Sequence, residues 1–329
     1  MDVIIGGQMA IEVIKEKWTN KVSELILGAT KEQGGTRSSV LKAGGESCLP
    51  FMFQEGDMPN RPLVAMEVWD IEPKEWPDTF KSAFGDSLRD PCEWAKRCVQ
   101  DFGADLICLA LEGTSPESGD ASAQKAAETV TKVLKASAVP LIILGSGDKQ
   151  KDSEVLTRCS QAAKGENCLF GVATHDNYKT LTVSCMADGH SVIAESPIDI
   201  NIAKQVNILI TDMGFSPNKI AMHPTTGALG YGMEYVYSIM ERGRLAALMG
   251  DRMLSMPFIV FVGSEVWRVK EASITEKEAP GWGDAAKRGP LWEATTAVCM
   301  LQAGADILVM RHPDAVKGTK ETIARLMKI

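Results

Sequence analysis

The sequence holds 8 cysteines, yet no two stand as Cys-x-x-Cys, and it has only 4 histidines. That spacing argues against a zinc knuckle and against an iron–sulfur cluster held by this chain alone. Cys108 and Cys168 lie inside apolar runs, so the cysteines read as small core residues. No run approaches the roughly 18 apolar residues of a membrane-spanning helix. The N-terminus has no basic segment followed by an apolar core and a small-residue cleavage site, so no membrane contact is expected and a cytoplasmic protein is. Basic charge is in deficit, 35 Lys and Arg against 43 Asp and Glu, which leaves no electrostatic footprint for nucleic acid. A nucleophile elbow and a strand-borne lysine are also missing.

What is present is a soluble globular composition, 45% hydrophobic and 24% charged over 329 residues, enough for one large unit or two. The first sixty residues stand apart. Ile11, Ile14 and Trp18 suggest a short amphipathic helix, and Val22 to Leu27 with Ser39 to Ala43 suggest a hairpin that plugs one end of the main fold. From Pro62 a strand–helix alternation repeats eight times. Strand cores are predicted at 63–69, 105–111, 140–144, 168–172, 191–194, 219–222, 258–262 and 306–310, with helical stripes such as Ala126, Val130, Val133 and Leu134 between them. In the last helix Asp314 is the expected cap.

Eight such units predict an α/β fold, a (β/α)8 TIM barrel over 62–329 with an N-terminal hairpin-containing extension over 1–61. A doubly wound sheet is the alternative, but Trp69-Asp70-Ile71-Glu72-Pro73 after the first strand is no nucleotide fingerprint. Any site then lies where strands end. Those ends carry Glu67, Asp70, Glu112, Asp148, His175, Asp176, Asn177, Glu195, His223, Glu265, Arg311 and His312.

His175, His223 and His312 with a carboxylate would be chemically competent for zinc, but each histidine precedes a helix start, where capping is commonplace, and no metal is assigned. Gly145-Ser146-Gly147-Asp148 and Gly34-Gly35-Thr36-Arg37 are weak anion-cradle signals. The loops 70–89 and 264–290 are long and carry Trp76, Trp267 and Trp282, which suits either a protein partner or packing on the barrel rim. The stretch His223-Pro224-Thr225-Thr226-Gly227-Ala228-Leu229-Gly230-Tyr231-Gly232 interrupts the rhythm with three glycines and two hydroxyls. Such a backbone admits close approach by a flat or bulky ligand.

Several separated motifs then occur in one order: Lys31-Glu32-Gln33-Gly34-Gly35-Thr36-Arg37, Asn60-Arg61-Pro62, Ser196-Pro197-Ile198-Asp199-Ile200-Asn201, Leu229-Gly230-Tyr231-Gly232-Met233-Glu234-Tyr235, Pro280-Gly281-Trp282-Gly283 and Met310-Arg311-His312-Pro313. Together they resemble the small subunit of the corrinoid iron–sulfur protein, also called the delta subunit of the carbon monoxide dehydrogenase/acetyl-CoA synthase complex, almost end to end. The resemblance implies a non-catalytic barrel that caps a corrinoid (cobalamin) held by a large subunit, which also carries the iron–sulfur cluster. It further implies two exchange partners, a pterin-dependent methyltransferase and acetyl-CoA synthase/carbon monoxide dehydrogenase, in the reductive acetyl-CoA pathway. By position it points to His175, Asn177 and Thr225, Thr226, Gly227, Ala228, Leu229, Gly230, Tyr231 and Gly232 as corrin-facing, and it assigns no role to His223. The competing expectation is a free-standing pterin-dependent methyltransferase, for which Asp70, Asp148, Asp176 and Asn177 leave room.

Overall fold

The computed structural model describes residues 14–328 and, ahead of them, the backbone of two short strands, β1 (Val3–Ile4) and β2 (Ala10–Ile11). The helix expected around Ile11, Ile14 and Trp18 does not form: Ile11 pairs antiparallel with Val3, and residues 14–24 run without regular structure. Their backbone is drawn to distant partners instead. The amides of Thr19 and Asn20 donate to Leu248 O, and those of Val22 and Ser23 donate to Glu46 O and Ser255 O. The hairpin forms as β3 (Leu25–Leu27) and β4 (Leu41–Ala43), with Leu25 opposite Ala43.

Eight parallel strands then close a barrel: β5 (Leu63–Trp69), β6 (Leu106–Ala110), β7 (Leu141–Leu144), β8 (Leu169–Ala173), β9 (Ser191–Glu195), β10 (Ile220–His223), β11 (Phe258–Val260) and β12 (Ala305–Met310). All eight fall where their apolar runs predict them, except that Val262 begins a helix rather than ending β11. The short runs are apolar throughout because each strand is covered on both faces. One set of side chains, including Leu63, Ala65, Leu106, Cys108, Ile193 and Ile307, fills the interior, while the intervening set, such as Val64, Met66, Ile107 and Leu109, packs outward under the helices. Leu25, Leu27 and Ala43 belong to the interior set, so the hairpin closes the end where the strands begin.

The helices, in order, are α1 (Asp78–Lys81), α2 (Pro91–Gln100), α3 (Ala123–Ala136), α4 (Lys149–Ala162), α5 (Tyr178–Asp188), α6 (Ile200–Asp212), α7 (Met233–Leu248), α8 (Val262–Val266), α9 (Lys270–Ser273), α10 (Ala285–Ala303) and α11 (Pro313–Met327). Side-chain caps begin several of them, as Asp90 on α2, Asp199 on α6 and Asp284 on α10. The cap of α11 is His312, whose Nδ1 accepts from Asp314 N at 3.2 Å; Asp314 itself sits inside the first turn. The two long loops are largely ordered by α1, α8 and α9, and α10 starts five residues before Pro290. No helix among the described residues is long and apolar enough to cross a membrane.

Candidate functional site

Strand periodicity builds the barrel mouth. Side chains two apart share a face, so the interior series Leu63–Ala65 continues to Glu67, Leu106–Cys108 to Ala110 and Glu112, Ile193 to Glu195, Ala221 to His223, Ile259 to Phe261 and Ile307–Val309 to Arg311. These residues line a cavity of about 310 Å³ at the strands' C-terminal ends, with Asp152, Thr225, Thr226 and Arg268 at its walls. Alternation along each strand, visible in the sequence, is the signal that locates them.

At the mouth's centre Arg311 is only 7% exposed. Its Nη2 donates to Glu67 Oε1 at 2.6 Å, and its guanidinium lies over the rings of Trp69 and Trp76, 5.4 and 5.0 Å from their centroids. Trp76 also meets Phe80 and Trp94 edge-on, while Phe80 meets Trp267 and His312. Trp76 and Trp267 therefore pack onto the rim, and Trp282 alone of the three loop tryptophans is exposed, at 44%. Glu293, buried on α10, accepts from the amides of Arg311 (2.5 Å) and His312 (3.1 Å) and from Trp267 Nε1 (2.7 Å). Burial pushes its carboxyl up to about 7 against those bonds. Glu293 went unnoticed in the sequence because it lies in mid-helix.

Both anion-cradle signals are answered by the chain's own carboxylates. Asp152 accepts from Ser146 N, Ser146 Oγ and Gly147 N at 2.8, 3.2 and 2.9 Å, and a Cβ at Gly145 would stand 2.2 Å from its carboxyl carbon. At the other end Glu166 takes Thr36 N, Thr36 Oγ1 and Arg37 Nε at 3.1, 2.8 and 2.9 Å. A phosphate has no free amide nest in either loop. Asp152→Ala is expected to cost about 1–3 kcal/mol, since it strands two part-buried amides. Urea unfolding measures it, and added phosphate should recover part of the loss only in the variant.

The 225–232 loop divides into a root and a crest. In the root, Thr225 (φ 67°) donates from Oγ1 to Ser196 O at 2.8 Å, and Thr226 Oγ1 accepts from Phe261 N at 2.9 Å. Gly227 and Ala228 are buried beneath, and Leu229 is clamped by Thr296 Oγ1 on its amide and Trp292 Nε1 on its carbonyl. The crest is Gly230 (φ 81°), Tyr231 and Gly232 (φ 86°), positive values that only glycine adopts without strain. Tyr231 is half exposed, and its hydroxyl donates to Glu271 Oε2 at 2.7 Å. Tyr235 and Leu291 are also exposed on the adjoining α7 and α10. His175 is exposed beside Asp176, outside the cavity lining. Asn177 folds onto its own loop, accepting from Thr174 N at 2.7 Å.

The three histidines do not converge. His223 is buried with Nδ1 donating to Ile259 O at 3.1 Å, His312 caps α11, and burial lowers both to about 4. Among the described residues no group of three His, Cys, Asp or Glu side chains could hold a metal ion. Six cysteines are buried, and burial raises every thiol, Cys159 and Cys168 to about 12.

Closed barrel, plugged base and polar mouth define a (β/α)8 barrel. Dihydropteroate synthase from Xanthomonas albilineans in complex with 7,8-dihydropteroate superposes with a TM-score of 0.55 at 12% identity, over 82% of this chain and 95% of that one, a likeness of fold alone. Sequence carries the assignment further: the profile described as "CO dehydrogenase/acetyl-CoA synthase delta subunit" matches residues 24–317, and the chain belongs to that family. The delta subunit of the acetyl-CoA decarbonylase/synthase complex from Methanocaldococcus jannaschii is 38% identical over 307 residues, 93% of this chain and 74% of that protein. Its counterpart from Archaeoglobus fulgidus is 37% identical over 321 residues, 96% and 70% respectively.

Proposed function

We propose that this chain is the non-catalytic small subunit of a heterodimeric methyl carrier, its barrel mouth capping a corrinoid held by a large subunit. The observation that carries the reading, beside family membership, is that the mouth's charges are largely spent on one another while the glycine–tyrosine crest stands exposed. A cavity of about 310 Å³ is too small to enclose a corrin, yet a crest of main chain and tyrosine offers the donors and acceptors a corrin rim requires. The residues therefore fit covering the cofactor, not holding it alone. When bound, the corrinoid supplies a cobalt centre that accepts and passes on a methyl group.

The chain's own part is to exclude water and oxidant and to keep the ring placed. Gly230, Tyr231 and Gly232 would meet the rim directly, with Thr225 and Thr226 shaping the floor and His175 and Asn177 at the side. An iron–sulfur cluster belongs on the partner, since the described cysteines are dispersed and mostly buried. Methyl groups would arrive through a pterin-dependent methyltransferase and leave to acetyl-CoA synthase/carbon monoxide dehydrogenase.

The test is anaerobic. This chain, methyltetrahydropterin and reduced cobalamin are mixed and the cobalt absorbance is followed. No methylation by the chain alone, with activity recovered on adding a corrinoid-bearing large subunit and a separate methyltransferase, is the expected result. Rapid methylation by the chain alone would establish the alternative, a free-standing pterin-dependent methyltransferase. In the heterodimer Tyr231→Ala should speed oxidation of reduced cobalt several-fold and leave the melting curve in place, because this half-exposed side chain has one surface hydrogen bond to lose.

A further inference from the structure

Most polar groups of the mouth cavity are answered within the chain. Arg311 is bound to Glu67, Arg268 Nη1 to Glu265 at 2.9 Å, and Asp152 to its own loop. Among the described residues the carboxyls of Glu112 and Glu195 accept no hydrogen bond, although both line the cavity. A third free group adjoins Glu195. Nδ1 of His223 faces a carbonyl and so carries the proton, which leaves Nε2 a lone pair, 3.6 Å from Glu195 Oε2. Two acceptors face each other at a separation too long for a direct hydrogen bond, with no donor of the chain between them. In the same cavity Nε of the buried Arg311 also has no partner.

We propose that Glu195 and Nε2 of His223 form a binding site for a neutral primary carboxamide. Glu195 and Nε2 of His223 are acceptors, so the ligand must supply N–H donors, and an anion would meet a carboxyl. Burial raises the Glu195 carboxyl above its ordinary value, which favours a protonated form able to donate to the amide oxygen. An amide, which donates and accepts side by side, matches a carboxyl in either protonation state. Two sources share this chemistry. One is a carboxamide arm of a corrin rim, which rests on the capping reading; the other is a free small aromatic amide, which does not.

The experiment is equilibrium binding to the full chain at pH 8 by calorimetry, with two matched pairs: cobinamide against its monocarboxylates, each with one amide arm hydrolysed, and nicotinamide against nicotinate. The amide member of at least one pair should bind tenfold or more tighter than its carboxylate. The variant Glu195→Gln should shrink that ratio to about twofold. Glu265→Gln, a rim acid already paired with Arg268, should leave it unchanged, and circular dichroism melts confirm that each variant is folded. Discrimination by nicotinamide with no cobinamide binding keeps the carboxamide site and assigns it to a free amide, while the capping reading is decided by the methylation assay. Equal binding within each pair, preference for a carboxylate, or no binding of either amide at millimolar concentration would overturn the site.

Discussion

Arg244→Met is expected to destabilise the protein by about 3–5 kcal/mol, the cost of breaking a buried ion pair from one side. Arg244 on α7 is 2% exposed and lies between two buried carboxyls, Asp306 Oδ2 at 2.8 Å and Glu46 Oε2 at 3.3 Å, while Nη2 also donates to Gly304 O. Asp306 in turn accepts from Phe258 N at 2.7 Å, so the cluster joins the N-terminal extension, β11, β12 and α7 at the barrel's base. Methionine would fill much of the space and leave the acids unanswered. Glu46→Gln makes the informative contrast. Burial and the neighbouring Asp306 push the Glu46 carboxyl well above its usual range, so the folded state already favours the protonated form, and glutamine mimics it at a cost of about 1 kcal/mol or less. The folded state binds this proton more tightly than the unfolded one, so the stability Glu46 contributes is present at low pH and falls as pH rises above about 4.5. Glu46→Gln should flatten that part of the urea-midpoint profile. Equal midpoints for Arg244→Met and the parent would mean that water screens the cluster.

The barrel was legible because its strands are short, apolar on both faces and regularly spaced, and each such run needs only local sequence to be read. The mouth was half legible. Period-2 alternation carries Glu67, Glu112, Glu195 and Arg311 to the axis, but the pairing of Arg311 with Glu67 spans 244 residues of sequence and leaves no local trace. The glycine turns at Gly145 and Gly34 illustrate the same gap. A loop shaped to receive an anion reads alike whether a ligand or a carboxylate of the same chain fills it, and Asp152 and Glu166 fill these two. The apolar spacing of Ile11, Ile14 and Trp18 misled for the complementary reason. Periodicity records which side chains could share a face, while the amides of Thr19 and Asn20 find Leu248 far along the chain.

Glu293→Ala should be the most damaging change at the mouth itself, because one carboxylate gathers three N–H groups from separate segments. Losing it leaves the amides of Arg311 and His312 and the Trp267 indole without their acceptor, each worth about 1–3 kcal/mol when buried. A net loss of about 3 kcal/mol is expected after partial relaxation. The local consequence is more telling than the global one. Glu293 ties the end of β12 to the segment after α8, and its α10 neighbours Trp292 and Thr296 clamp Leu229, so one helix face holds both the Arg311 centre and the root of the exposed crest. Hydrogen exchange should therefore quicken at the amides of Arg311 and His312, and more modestly at Leu229, while the base around Arg244 keeps its protection. Glu293→Gln retains one acceptor oxygen but turns an amino group toward N–H donors, so it should fall between parent and alanine. Because burial places the folded carboxyl at about 7, above its unfolded value near 4.5, the parent loses stability from this group as pH rises through that interval, and both variants should lose that slope. An unchanged exchange rate at Arg311 and His312 in Glu293→Ala would show that the strand end holds its place without α10, and the coupling between mouth and crest would have to run elsewhere.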